Sequence, residues 1–96
     1  MERRHEEMLT ARLEEAATNG SAHILDSELH LWYGVKKLAA GTWRDIAHRW
    51  DEVVPAVRQF QPNFSDPGPL VSVEGKGGIF IFGKKKIALV SPDGEK

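Results

Sequence analysis

Leu70–Ser91, LVSVEGKGGIFIFGKKKIALVS, is the stretch that decides how this chain folds. Three apolar runs stand in it: Leu70–Val73, Ile79–Phe82 and Ile87–Val90. β-Branched and aromatic residues dominate them, and such residues suit pleated backbone. Gly75, Gly77 and Gly78 separate the first two runs; Gly83 and Lys84–Lys86 separate the last two. Glycine supplies the positive φ that tight hairpin loops require. The stretch predicts a three-stranded antiparallel β-meander over residues 70–91.

Side chains alternate between the two faces of a strand. Ile79 and Ile81 therefore point one way, and Phe80 and Phe82 the other. A sheet wetted on one side should alternate apolar with polar residues, and only Ser72 and Glu74 supply that alternation. Both faces therefore call for cover. One is assigned to the chain's own helices and the other to the remaining chain or to a second molecule.

Upstream, Leu9, Leu13, Ala16 and Ala17 recur at helical spacing, predicting a first helix over residues 2–18 that stops at Asn19-Gly20. Its stripe is narrow and rich in alanine, which suggests weak docking. Ser21–Leu25 reads as a connector. A second helix is expected from Asp26 or Ser27 to about Ala40, ended by Gly41, with Trp32 and Tyr33 within a broad apolar girth. Thr42 and Asp45 have the spacing of a capping box. Trp43, Ile46, Trp50, Val57 and Phe60 follow at helical spacing, so this helix is expected to pack on the sheet. Pro55 predicts a break near Val54, because an internal proline loses a hydrogen bond and costs about 3 kcal/mol. Residues 61–69 hold three prolines and a glycine and form a connector, with Phe64 plugging onto the core. The expected architecture is α+β in one domain: a helical half over 1–60, the connector 61–69 and the meander.

Composition narrows the function. The 96 residues carry 13 Lys and Arg against 14 Asp and Glu, a formal net charge of −1, which disfavours indiscriminate polyanion binding. With no cysteine, disulfides and thiolate chemistry are excluded. The charged opening MERRHEE is not a signal peptide, and no apolar run approaches the roughly 20 residues of a membrane span, so a cytoplasmic protein is expected. Gly75-Lys-Gly-Gly78 fails both the Walker pattern and the dinucleotide fingerprint. His5, His23, His30 and His48 are scattered, no HExxH occurs, and no acid, base and nucleophile converge. No enzyme activity, cofactor, metal or small-molecule substrate is indicated.

Two functional expectations remain. The first is a protein-interaction module, a homodimer or a small subunit of an assembly, with Trp32, Tyr33, Phe80 and Phe82 as interface anchors, since aromatic residues are enriched there. The second is a winged-helix-like DNA-binding regulator. Residues 43–60 would form a helix-turn-helix turning near Asp51–Val53. A recognition helix from Pro55 would offer Arg58 and Gln59, and a hairpin tipped by Lys84, Lys85 and Lys86 would grip phosphates. Lys76 joins those lysines as a candidate phosphate contact. The same lysines also serve as gatekeepers that keep an aggregation-prone hairpin soluble.

Overall fold

The computed structural model describes residues 1–87. Three helices, α1 (Arg3–Asn19), α2 (Asp26–Tyr33) and α3 (Ala40–Phe60), accompany three strands, β1 (Ser21–Leu25), β2 (Leu70–Gly75) and β3 (Gly78–Gly83). The fold is α+β with a three-stranded antiparallel sheet in the order β1-β3-β2. The expected connector at Ser21–Leu25 is thus a strand, and it takes the place given to Ile87–Val90. Residues 88–90 of that expected third strand lie outside the described residues. Ser21 pairs with Phe82 and Leu25 with Gly78, while Leu70 pairs with Gly83 and Gly75 with Gly78.

The core is built around α1. Leu9, Leu13 and Ala16 are fully buried, and α1 packs on β1, β3 and α3. The alanine-rich stripe is what permits this, because short side chains let a helix approach its neighbours closely. The helix expected to dock weakly is therefore the central one. α3 reaches the sheet from farther out, through Trp43 and Ile46, which face Leu70, Ile79 and Ile81 across a cleft of about 210 Å³. Along β3, Ile79 and Ile81 are buried and face the helices with Ala22 and Ile24 of β1. Ser72 and Glu74 of β2 stay exposed.

α2 is shorter than the sequence suggests. Gly34, at φ 65°, adopts the left-handed conformation and donates its N–H to the His30 carbonyl, ending the helix. Such a cap is the ordinary use of glycine after a helix. His30 Nδ1 lies 2.8 Å from the Val35 carbonyl and, since a carbonyl only accepts, donates to it. Residues 34–39 then form a turn, and Gly41 lies inside α3 instead of ending α2. The expected capping box at Thr42 does not form. Thr42 donates its N–H to the Ala39 carbonyl, and Asp45 accepts from Tyr33 Oη at 2.7 Å and Arg49 Nε at 2.8 Å.

α3 is one continuous helix with Pro55 inside it. Pro55 is exposed, so the Asp51 carbonyl it leaves unbonded faces solvent and can be hydrated. A proline break is therefore unnecessary. Phe60, expected on the core face, is 82% exposed, whereas Phe64 is half-buried against the core as expected.

β1 and α2 are locked to α1 by Arg12. Its guanidinium donates twice to Glu28, at 2.9 and 2.8 Å, and once to the His23 carbonyl at 2.8 Å. Glu28 also accepts from the Leu25 N–H at 3.0 Å, which is half of a capping box at the start of α2. The Arg12 hydrogen bonds hold the Glu28 carboxyl below the ordinary carboxylate range against the opposing effect of burial, and the Leu25 N–H adds to the lowering. With the folded pKa below the unfolded one, this stabilisation is complete above about pH 5 and lost as pH falls through the lowered value. Glu28→Gln is expected to cost about 1–2 kcal/mol near neutral pH, the range of hydrogen bonds to charged groups that remain partly hydrated. Urea titrations at pH 7 and pH 3 check it: the difference between wild type and variant should shrink at the lower pH.

Candidate functional site

The described residues present three surfaces with functional character. The first lies where the α2–α3 turn meets the β2–β3 hairpin. Asp26 donates its backbone N–H to the Gly77 carbonyl at 2.9 Å, so the hairpin tip is tied to the start of α2. Gly78 permits the approach, because a Cβ there would fall 2.6 Å from the Ile24 carbonyl oxygen. The tip is Lys76-Gly77, with Gly77 at φ 82°. A groove of about 400 Å³ separates the tip from the turn, and its wall includes Lys36, Lys37, Leu38, Trp43 and Glu74. Trp43 is the α3 residue in that wall, and the first half of α3 exposes Arg44, Ala47, His48 and Asp51 to solvent.

The charged residues of α3 divide into engaged and free sets. Asp45 and Arg49 bind each other, with Tyr33 and Glu6 at their sides. Burial pushes the Asp45 carboxyl up, but the hydrogen bonds from Arg49 and Tyr33 outweigh it and leave the pKa lowered. The Tyr33 phenol is pushed well above its ordinary range, by burial first and then by the Asp45 carboxylate. His48 and Glu52 pair at 2.9 Å on the surface. Arg44 and Asp51 enter no ion pair or side-chain hydrogen bond among the described residues.

The second surface is the outer face of the sheet. Cross-strand partners share a face, so Ser21, His23, Phe80, Phe82, Val71 and Val73 stand together. Phe80 is 45% and Val73 53% exposed, while Phe82 and Val71 are half-buried. The His23 and Phe80 rings stack at 4.5 Å. No acidic or lysine side chain belongs to this group.

The third surface is a knot at the opposite end of the sheet. Lys84–Lys86 form a 3-10 turn after β3, not a hairpin tip. Lys84 and Lys85 donate backbone N–H bonds to the Pro69 and Pro67 carbonyls, both at 2.8 Å. Trp50 Nε1 donates to the Gly68 carbonyl at 3.0 Å, and Asp66 accepts from the Gly68 N–H. Arg58 stacks over the Phe64 ring at 5.7 Å and reaches Asp66 at 4.0 Å. This knot is about 17 Å from the hairpin tip, the length of one six-residue strand.

The residues singled out by sequence therefore separate. Lys76 is at the hairpin tip. Lys84, Lys85 and Lys86 are at the far end, with Arg58 nearby and Gln59 exposed beside it on the last turn of α3. Trp32, proposed as an interface anchor, is 2% exposed and belongs to the core, where the Arg12 guanidinium stacks on it. Tyr33 is half-buried and bound to Asp45. Of the four aromatic anchors, only Phe80 and Phe82 face outward. The turn assigned to Asp51–Val53 lies within a continuous helix, so residues 43–60 hold no helix-turn-helix; the two helices joined by a turn are α2 and α3. Lys36, Lys37 and Arg44 are not among the candidates that sequence singles out, although the glycine at position 34 signals the helix end that exposes them.

Among the described residues, no helix is long and apolar enough to cross a membrane, and no three His, Asp or Glu side chains are grouped to hold a metal ion. Compared with protein-family models, curated proteins and solved structures, the chain matches none.

Proposed function

We propose that this chain is a DNA-binding module in which α3 reads the major groove and the β2–β3 hairpin acts as a wing. The observation that carries the reading is the order of elements: a helix-turn-helix pair, α2 and α3, sits between β1 and a hairpin, and β1 closes the hairpin's sheet. A helix-turn-helix places its second helix in the major groove, with the residues of its first turns at the base edges. The first half of α3 meets that requirement, since its outer side has no role in the core. Lys36, Lys37 and Lys76 flank it as phosphate contacts, which fix register on the duplex without reading sequence. The net charge of −1 implies modest affinity confined to this face. Fluorescence anisotropy of labelled duplex DNA at two salt concentrations tests the reading; absence of binding at low salt rejects it.

A second reading, self-association through the outer sheet face, is favoured by the exposure of Phe80 and Val73. A face without lysine or carboxylate side chains suits a second copy of itself, because a symmetric contact brings no like charges together. Phe80→Lys is expected to shift a dimer to monomer at tens of micromolar in light scattering. A monomeric wild type at that concentration removes this reading and leaves DNA binding untouched.

A further inference from the structure

We infer that α3 discriminates between bases through Arg44 and Asp51, so that the preferred duplex carries two G·C pairs about three base pairs apart. The inference rests on the DNA-binding reading and adds to it the sequence that α3 selects.

Arg44 and Asp51 are separated by seven positions on one helix, two turns, and therefore lie on the same exposed stripe of α3. A rise of 1.5 Å per residue sets their Cα atoms about 10 Å apart. Base pairs stack about 3.4 Å apart, so a helix following the groove spans about three steps between these residues. Every other charged residue on α3 up to Glu52 is engaged: Asp45 with Arg49, and His48 with Glu52. A side chain already paired gains little by exchanging its partner for a base. Among the described residues Arg44 and Asp51 have no such partner, and both are exposed.

Their chemistry is complementary to different bases. A guanidinium forks onto guanine O6 and N7, and a carboxylate accepts from cytosine N4. Asp51 can stand on a DNA-reading face because a cytosine amino group, which presents no neighbouring acceptor, donates to its carboxylate and turns it from a repulsive to an attractive group. Ala47 lies between the two on the side toward Trp43 and is short enough to admit a thymine methyl.

The test is selection from a random duplex library with the whole chain, comparing wild type, Arg44→Ala and Asp51→Asn. The wild type should enrich sequences with G·C pairs about three steps apart. Arg44→Ala should lose preference at the guanine, with affinity for the selected site falling about 5- to 150-fold. Asp51→Asn should exchange cytosine for adenine, since asparagine pairs with adenine N6 and N7. Both residues are exposed, so unchanged thermal unfolding verifies that the variants fold. Binding without sequence preference, or the same enriched motif in all three proteins, overturns the inference while leaving DNA binding standing. Failure of the wild type to bind any duplex at low salt removes both.

Discussion

Trp50→Ala is expected to remove about 3–5 kcal/mol of folding stability, the range for deleting a buried tryptophan side chain. Trp50 is 2% exposed and sits at the middle of the buried face of α3, with Ile46, Val53, Val54 and Val57 around it. It also holds more than its own volume. Its indole N–H donates to the Gly68 carbonyl, and the same short segment is gripped by Lys85 N–H on Pro67 and by Lys84 N–H on Pro69. With the half-buried Phe64 and the buried Pro67, this indole thus fixes the connector between α3 and the sheet to the core. Truncation empties the pocket and releases the connector that sets where β2 begins. Domains of this size carry about 5–15 kcal/mol in total, so the variant should be near its unfolding midpoint under mild conditions. Trp50→Phe separates the two contributions: most apolar burial is kept and one carbonyl is left unpaired, at a cost of about 1–3 kcal/mol. Trp43→Ala is the control. Trp43 is half-buried beside a cleft, so its loss should cost clearly less than that of Trp50. Urea denaturation of the three variants measures this, and equal losses at both tryptophans would contradict the packing of α3.

The second large effect concerns binding. Simultaneous replacement of Lys36, Lys37 and Lys76 by glutamate is expected to weaken duplex binding by on the order of a hundredfold at about 0.1 M salt. Each phosphate that is no longer neutralised lowers the salt slope by about 0.9, so three together flatten it by nearly three. The reversal of Lys84, Lys85 and Lys86 is the informative comparison. From sequence, those residues sit at the tip of the wing, and their reversal should abolish binding. In the structure they lie at the far end of β3, with two of their backbone amides tied to the proline-rich connector. Their reversal should therefore have the smaller effect. If instead it is the stronger of the two, the binding surface lies at the Lys84–Lys86 end, and α3 is not presented as proposed. Salt-dependent anisotropy titrations of the two triple variants decide between these outcomes.

The elements most legible in the sequence are those whose pattern is long. The Leu9, Leu13, Ala16 and Ala17 stripe of α1 and the face of α3 are each repeated over several turns. β2 and β3 are bounded by glycine. What escapes a sequence reading is short or ambiguous. Ser-Ala-His-Ile-Leu alternates as a half-buried strand should, with Ala22 and Ile24 inward. Over five residues, however, that signal does not exceed what a connector shows by accident. The end of α2 is concealed because Val35 and Leu38 continue the apolar period past Gly34. At Pro55 the usual cost of a helical proline is an overestimate, because the orphaned carbonyl faces water.

The candidate site is less legible still. Nothing local distinguishes the gap at Gly75–Gly78, which is a hairpin tip, from the gap at Gly83–Lys86, which is a turn against the connector. The difference is that Lys84 and Lys85 find carbonyl partners at Pro69 and Pro67, more than ten residues away in sequence. Trp32 and Phe80 are likewise similar residues to a sequence reading, yet one is enclosed by α1 and the other faces outward.

From its sequence alone, this protein has its class determined: helices first, then a small antiparallel sheet too apolar on both faces to be left wet. That much follows from periodicity and from glycine, which act through the local backbone. Only the tertiary structure decided that Ser21–Leu25 completes the sheet, that α1 is the central helix, and that Lys76 stands at the hairpin tip while Lys84–Lys86 turn against the connector. These depend on which distant segments satisfy one another's hydrogen bonds and fill one another's volume, and no window of local sequence contains that information.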